Sequence, residues 1–250
     1  MDLTRQIEHA RSGPRHALLE GVHALKHALR FGAAVERVLS PDPARLATLL
    51  TDLAPDVVVP VEVEVVDKDE WSELTRGGLP SPSLAIARRP VVDLANTWTP
   101  RGHRPIVLLD APTHLGNVGA SIRVAAAAGA DALVVRGAAD PWHPTAIRGG
   151  AGLQFALPVA RVMETPPTLR PLVAIDPDGA SMHDVEIPAG AVLAFGTERH
   201  GLAADLRERA DLTVGIPMRP GVSSLNLATS VATILYAAGV GPDVRPSPAH

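Results

Sequence analysis

The fold of this chain is decided by residues 113–135, THLGNVGASIRVAAAAGADALVV, in which a glycine-containing loop leads into an alanine-rich segment and an apolar run. Alanine is the strongest helix former and has no functional group, so residues 121–129 are predicted to form a closely packed helix. Arg123 lies one turn into this helix, just after a loop that holds Asn117 between two glycines. Its guanidinium is either a surface group that reaches solvent or a functional group.

From residue 105 onward, the chain alternates between apolar runs and segments typical of helices or loops. The apolar runs are typical of short buried strands: PIVLLDAP, ALVVRG, LRPLVAID, AVLAFG and LTVGIP. This alternation predicts an α/β fold with a mostly parallel sheet that is covered on both faces. Residues 105–241 are therefore predicted to form one domain, and the Pro-rich residues 242–250 a disordered tail.

The first 90 residues predict a smaller α/β unit of their own. Val22, Leu25 and Leu29 recur at helical spacing, and a strand, VERVLS, follows. A helix in PARLATLLTDL, a strand in VVVPVEVEVVD, a short helix at DEWSEL and a final strand complete the unit. Residues 91–104 are polar and contain a proline and a glycine, so we interpret them as a linker.

The composition excludes several classes of protein. The 250 residues contain no cysteine, which excludes disulfides, thiolate metal sites and cysteine nucleophiles. A formal net charge of -4 argues against binding to nucleic acid through bulk charge alone, although it permits a local basic face. No segment has the apolar length of a membrane span or a signal peptide, so we expect a cytoplasmic protein without membrane or metal.

Three segments share the order strand, glycine-containing loop, helix: LLDAPTHLGNVGASIR, LAFGTERHGLAADL and VGIPMRPGVSSLNLATSVATILYAA. Ligands of open α/β sheets bind beyond the carboxyl ends of strands, so these three loops can line one pocket. Two common pockets are excluded. GNVGAS is not a dinucleotide fingerprint, the strand ALVVRG ends in Arg136 rather than in a ribose-binding acid, and no phosphate-loop lysine is present.

Taken together, the motifs NVGASIR, FGTERHGL and IPMRPGVSSLNLATSVA resemble those of the SpoU/TrmH RNA 2'-O-methyltransferases of the SPOUT superfamily. Their order and context also match, over residues 105–239. The resemblance implies a deep trefoil knot near the C-terminus, S-adenosyl-L-methionine as methyl donor, and a homodimer. Residues 1–90 are similar, more loosely, to the ribosomal-protein-like substrate-binding domain that often precedes this catalytic domain.

The resemblance also implies a catalytic set within these motifs: Asn117, Arg123, Glu198, Ser224 and Asn226. A sulfonium methyl is already activated, so these side chains are expected to position the ribose and stabilise its oxygen as the proton leaves. A guanidinium rarely deprotonates, so we expect Arg123 to grip the adjacent RNA phosphate rather than act as a base, with Glu198 fixing its orientation. Asn117 would orient Arg123 or the ribose. Helix capping by Asn117 or Ser224 and a solvated Glu198 are the ordinary alternatives.

The cofactor is expected to be held largely by backbone groups of five residues: Gly196, Thr197, Ile216, Met218 and Leu225. Gly196 would allow close approach of the backbone, whereas Ile216 and Leu225 would offer apolar walls for an adenine. Simple core packing is the alternative for both apolar side chains.

One face of the first predicted helix is basic. His23, Lys26, His27 and Arg30 occur at i, i+3, i+4 and i+7, and Arg15 lies shortly before them. Such a stripe is either a solvated face or a place where a phosphate backbone docks. We predict that these five residues bind RNA.

The sequence therefore predicts a methyltransferase that uses S-adenosyl-L-methionine to methylate a ribose 2'-hydroxyl of RNA. Ribosomal RNA is favoured over transfer RNA because the combination of domains resembles the ribosomal members more closely. Two alternatives stay open: a tRNA 2'-O-methyltransferase, and a non-catalytic RNA-binding or ribosome-assembly protein that retains the fold.

Overall fold

The computed structural model describes residues 2–99, 102–165, 168–197 and 201–239, and two β-sheets form its framework. One sheet has four strands and is built from the first ninety residues, and the other has six. The predicted tail, residues 242–250, lies outside the described residues, as does Glu198 of the predicted catalytic set. Within the described ranges, no helix has the length and apolar character needed to cross a membrane.

The first sheet is mixed. Its unit contains, in chain order, α1 (Leu3–Ser12), β1 (His16–Glu20), α2 (Val22–Arg30), β2 (Val35–Ser40), α3 (Pro43–Leu53), β3 (Val63–Val65), α4 (Lys68–Leu74) and β4 (Leu84–Arg88). The strand order is β1-β4-β2-β3, with β2 and β3 parallel and the other pairs antiparallel. The predicted strand in VVVPVEVEVVD is only three residues long, because Pro60 has no N–H to donate to a ladder. Helix α1 and strand β1 were not predicted.

The second sheet is entirely parallel, as the alternating pattern predicts. The elements of this half are α5 (Leu94–Trp98), β5 (Ile106–Asp110), α6 (Leu115–Ala128), β6 (Ala132–Arg136), α7 (Pro144–Gly150), a 3-10 turn (Leu153–Phe155), β7 (Val159–Val162), β8 (Leu172–Ser181), β9 (Val192–Phe195), α8 (Ala204–Glu208), β10 (Leu212–Gly215) and α9 (Leu227–Ala237). The strand order is β10-β8-β9-β5-β6-β7. All five residues of β5 are buried, as expected for a strand that is covered on both faces.

Helix α6 begins earlier than the sequence predicts. It starts at Leu115, so Asn117 and the glycines beside it lie in its first turns and not in a loop. Gly119 is required by packing, because a Cβ there would lie 2.2 Å from the carbonyl oxygen of Ala146 in α7. Helices α6 and α7 therefore meet backbone to backbone at this point, which explains Gly119.

The two sheets share one hydrophobic core. Leu19 and Leu25 of the first unit belong to the same cluster of buried residues as Val118 and Ile122 of α6. The segment that we interpreted as a linker, residues 91–104, contains helix α5, and its Trp98 is buried against the second sheet. The chain between the two sheets is thus partly ordered by packing.

Polar contacts at the junction come from α7 and from the residues on either side of it, and they include an ion pair of 3.1 Å between Arg89, just after β4, and Asp140, which precedes α7. The buried carboxylate of Glu20, at the end of β1, accepts a hydrogen bond of 2.5 Å from Arg148. His27 Nδ1 lies 2.8 Å from the carbonyl oxygen of Ala151. Gly152 has a φ of +79°, and a Cβ there would lie 2.4 Å from a carbonyl oxygen of α2. The first unit is therefore docked closely on α7.

Candidate functional site

A cavity of about 280 Å³ lies at the carboxyl ends of β9 and β10. Its lining comes from the middle of β8, from residues 195–197, from Gly201 and Arg207, from Ile216, Met218 and residues 223–225, and from the first turn of α9. Carboxyl ends of parallel strands are where ligands of open α/β sheets bind. The second and third glycine-containing segments of the sequence thus meet at one place.

All five residues predicted to hold a cofactor line this cavity: Gly196, Thr197, Ile216, Met218 and Leu225. Gly196 was predicted to let the backbone approach the cofactor closely. In the structure, the absence of a side chain at Gly196 makes room for the backbone of Gly201 and Leu202. A Cβ there would lie 2.1 Å from the carbonyl carbon of Gly201, and Thr197 and Gly201 exchange backbone hydrogen bonds of 3.1 and 2.9 Å. The turn therefore folds back tightly on the end of β9.

The described lining combines apolar walls with charged groups of both signs. Phe195, Ile216 and Leu225 provide apolar surface, whereas Asp176 and Arg207 provide opposite charges. Arg207 lies 3.9 Å from Asp176, a separation that leaves both groups able to contact a bound molecule. Such a cavity suits a ligand with an apolar ring and a zwitterionic end.

One wall of the cavity was missed by the sequence analysis. Residues 175–178 of β8 line it, and Asp176 and Asp178 bring carboxylates there. The pairing of β10 with β8 jumps from Ala174 to Ala180, so the residues between them leave the ladder. The sequence carried a signal for this, since DPDG directly after the apolar run LVAI is a turn pattern at the end of the predicted strand.

Asn226 joins the third motif to the first. Its Oδ1 caps α9 by accepting from the backbone N–H groups of Ala228 and Thr229, at 3.0 and 3.4 Å. Its Nδ2 therefore points the other way, and it donates a 3.1 Å hydrogen bond to Asn117 Oδ1. The cap of α9 is thus Asn226, so the alternative that Ser224 serves as the helix cap is wrong.

The remaining predicted catalytic residues lie in different positions. Ser224 is exposed and lines the cavity. Arg123 is exposed on α6, does not line the cavity, and makes no hydrogen bond or ion pair with any described residue. It follows Asn117 by six residues, about 9 Å along the helix and on another face. Asn117 is therefore not placed to orient Arg123 within one chain, and the predicted contact of Arg123 with Glu198 lies outside the described residues.

The predicted basic stripe on α2 carries less free charge than its sequence indicates. Arg30 donates two hydrogen bonds, of 2.8 and 2.6 Å, to Asp56, and this contact lowers the pKa of Asp56 to about 2. His27 is engaged with the second half of the chain, and burial lowers its pKa. Exposed Arg15 and His23 lie at opposite ends of β1, roughly 17 Å apart. Only Lys26 and His23 remain as a continuous basic pair on α2.

Comparison with known proteins gives a family and close structural relatives. The model of the SpoU rRNA Methylase family matches residues 104–236. The chain is 29% identical over 231 residues to the 23S rRNA (guanosine(2553)-2'-O)-methyltransferase RlmP of Bacillus subtilis, covering 88% of this chain and 86% of that protein. It is 30% identical over 246 residues to the 23S rRNA (uridine(2479)-2'-O)-methyltransferase of Streptomyces viridochromogenes, covering 88% and 81%.

A solved structure agrees with the fold over nearly the whole chain. The SpoU methyltransferase AviRb from Streptomyces viridochromogenes, in complex with AdoMet, superposes with a TM-score of 0.78 at 30% sequence identity. The superposition covers 95% of this chain and 97% of AviRb. The similarity therefore includes the four-stranded sheet as well as the six-stranded one.

Proposed function

The chain belongs to the SpoU rRNA methylase family, and from this premise we propose that it methylates a ribose 2'-hydroxyl of RNA with S-adenosyl-L-methionine as the methyl donor. The proposal depends on one observation: the three sequence motifs meet beyond the carboxyl ends of the parallel strands. The second and third motifs form the cavity, and Asn226 connects the third motif to Asn117 of the first.

The cavity fits the proposed cofactor. Ile216 and Leu225 would face an adenine, while Asp176 and Arg207 would face the amino and carboxylate groups of the methionine part. When bound, the cofactor supplies an activated methyl group, so the protein needs to supply position and charge rather than a nucleophile. AviRb, which shares the fold, has been crystallised with AdoMet.

Asn117, Ser224 and Arg123 would each make a different contact with the RNA at the ribose. Asn226 is fixed by the cap of α9 and sets the amide orientation of Asn117, whose Nδ2 then faces away from Asn226 as a donor. Ser224, at the cavity mouth, would donate to the RNA backbone. Arg123 would bind the adjacent phosphate and stabilise the ribose oxygen as its proton leaves through phosphate or water.

We propose a homodimer because the described α6–α9 layer leaves apolar surface exposed. Tyr236 on α9 is 56% exposed, and the exposed Ala127 lies on α6, which packs against α9. Pairing through this layer would bring Arg123 near the cavity of the partner subunit, which its own chain does not do. Mixing Arg123→Ala chains with Leu225→Glu chains would then restore activity in the mixed dimers, whereas action within one chain would restore none.

Ribosomal RNA is the proposed substrate, since both relatives compared above are named as 23S rRNA methyltransferases. We propose residues 1–90 as the RNA substrate-binding domain, 91–104 as the linker and 105–241 as the catalytic domain, in a cytoplasmic protein. The knot of this family is proposed for the C-terminal part, and the tight backbone crossings at Gly196 and Gly179 support it. Lys26 and His23 are the proposed RNA contacts on α2.

The deciding experiment is transfer of tritiated methyl to ribosomal RNA and, separately, to transfer RNA. We expect label in ribosomal RNA, in a dinucleotide that resists alkaline hydrolysis. Arg123→Lys should lower the rate by about 100-fold without changing affinity for S-adenosylhomocysteine, because a lysine cannot reproduce a bidentate contact. Arg45→Lys, an exposed substitution on α3, is the matched control.

Label in transfer RNA alone would replace the proposed substrate. Normal binding of S-adenosylhomocysteine without transfer to any RNA would instead favour a non-catalytic RNA-binding protein.

A further inference from the structure

A buried carboxylate outside the cavity lies at the carboxyl end of a central strand of the second sheet. Asp110 is the last residue of β5 and is 3% exposed. One of its oxygens accepts a 2.8 Å hydrogen bond from the backbone N–H of Ala203. The other lies 2.9 Å from Nε of Arg136, at the end of the neighbouring strand β6. No step of the proposed reaction uses this group.

The hydrogen bond between Asp110 and Ala203 lies next to residues that line the cavity. A turn leaves β9 at Gly196 and Thr197, returns at Gly201, and reaches Ala203 two residues later. Ala203 precedes α8 and has no side chain that could cap the helix. Asp110 thus provides, from another strand, the acceptor that holds the returning arm of the turn in place.

Arg136 extends this contact to α8. Its Nη1 and Nη2 donate hydrogen bonds of 2.6 and 2.9 Å to the two oxygens of Asp205. These bonds lower the pKa of Asp205, so the carboxylate stays ionised at neutral pH. Arg136 therefore has two carboxylate partners, Asp110 at the end of β5 and Asp205 in α8.

A second ion pair beside the same sheet, between the buried Arg170 and the partly exposed Asp131, lies away from the cavity. Arg170 is buried and donates a 2.8 Å hydrogen bond to Asp131, and it also bonds the carbonyl oxygens of Arg104 and Gly190. Asp131 immediately precedes β6, at the amino end of the strand whose carboxyl end carries Arg136. Neither Arg170 nor Asp131 lines the cavity.

We propose that Asp110, together with Arg136 and Asp205, is a positioning group that holds residues 201–203 against the end of β9, where Gly196, Thr197 and Gly201 line the cavity that would bind the cofactor. Affinity for the cofactor would then depend on a carboxylate that does not touch the cofactor. The choice of S-adenosyl-L-methionine as ligand rests on the proposed function, whereas the restraint on the turn does not.

The test compares Asp110→Ala with Asp131→Ala, since each substitution removes the carboxylate partner of an arginine beside the same sheet. Calorimetry with S-adenosylhomocysteine, at a temperature where both variants are folded, should show Kd raised about tenfold by Asp110→Ala and unchanged by Asp131→Ala. Asp110→Asn keeps an acceptor for the Ala203 N–H and should recover most of the affinity. In turnover assays, KM for the methyl donor should rise more than kcat falls.

Hydrogen exchange provides a readout that needs no cofactor. Amides of residues 201–203 should exchange faster in Asp110→Ala than in Asp131→Ala. If Asp110→Ala does not fold, Asp205→Ala replaces it, because Asp205 is exposed, and a smaller effect of the same kind is expected.

Equal losses of affinity in the Asp110 and Asp131 variants, or unchanged exchange at residues 201–203, would overturn the positioning role. Failure of the unaltered protein to bind S-adenosylhomocysteine would instead refute the proposed function, and the exchange data would still decide the role of Asp110.

Discussion

Helix α7 packs against α6 on one side and against the first unit on the other, and the two sides make different kinds of contact. Toward α6 its closest contact is through backbone, since a Cβ on Gly119 of α6 would lie within 3 Å of backbone atoms of Ala146, Gly149 and Gly150. Toward the first sheet, Arg148 and the residues after α7 make their contacts through a carboxylate, an imidazole and one close backbone approach.

The α6 side of α7 fixes the relative positions of two helices, whereas the other side determines how tightly the first unit docks on α7. Backbone contacts cannot shift without moving a helix, so the α6 side fixes the position of Asn117 relative to α7. Side-chain contacts can be lost one at a time, so the first-sheet side can be weakened gradually. Substitutions on the two sides should therefore fail in different ways.

The largest effect is expected from Gly119→Ala. The new Cβ would lie 2.2 Å from the Ala146 carbonyl oxygen and 2.7 Å from the Gly150 nitrogen, so the helices must separate. We expect a loss of about 3 kcal/mol in the free energy of unfolding, measured by denaturant titration. Gly116→Ala, one turn earlier and with no neighbour within 4 Å, is the control and should be neutral or slightly stabilising. Equal stability of the two variants would mean that α6 and α7 are not in backbone contact.

The next effect is expected from Gly152→Ala on the other side. This residue has a φ of +79°, and its Cβ would meet the Ala24 carbonyl oxygen at 2.4 Å. Gly129→Ala is a matched control, because its φ is +77° and only an arginine side chain lies within reach, at 3.8 Å. Both should lose about 1 kcal/mol through backbone strain. Gly152→Ala should lose about 1 kcal/mol more through the clash with α2, together with methylation of RNA but not affinity for S-adenosylhomocysteine.

A full loss of cofactor affinity in Gly152→Ala would show that the first-sheet side also shapes the cavity. Loss of stability equal to that of Gly129→Ala would show that α2 is not docked there.

The sequence predicted the parallel sheet and the part of the cavity lining that follows β9 and β10, because both depend on local patterns. Apolar runs such as PIVLLDAP mark strands that are buried on both faces, and the motif residues 196–197 and 216–225 follow two of those strands directly. Topology then places the ends of parallel strands together. None of these steps needs a contact between distant residues to be known in advance.

The parts that the sequence did not predict depend on contacts over long separations. The start of α6 at Leu115 depends on α7, some thirty residues later, because only that packing explains why glycines continue the helix. The basic stripe on α2 was overestimated because Asp56, which pairs with Arg30, belongs to a different segment with no motif of its own. Asp110 carries no signal beyond being the last residue of a strand.

Lowering the pH should weaken the docking of the first unit on α7, because His27 lies at this contact and becomes protonated. Burial lowers the pKa of His27 below its usual value of 6.5, and the neighbouring charges of Lys26 and Arg30 lower it further, against the opposing effect of the Ala151 carbonyl. A lowered pKa means that the folded protein prefers the neutral imidazole, so this contribution to stability is present above pH 6.5 and is lost as the pH falls through the folded pKa.

The measurement is the melting temperature of the protein and of His27→Gln at pH values from about 8 to about 5. The unaltered protein should lose more stability than the variant over the acid half of this range. Parallel curves would mean that His27 is as solvated in the folded state as in the unfolded one.

The smallest effect is expected from Ala151→Gly, and it has the opposite sign. Ala151 adopts a φ of 52° at the end of α7, a left-handed conformation that strains an alanine and not a glycine. The substitution keeps the carbonyl that faces His27, so we expect a gain of about 0.5 kcal/mol after the entropic cost of glycine. Ala156→Gly, at a right-handed position after the 3-10 turn, should instead lose a similar amount. A loss in both variants would mean that α7 ends without strain.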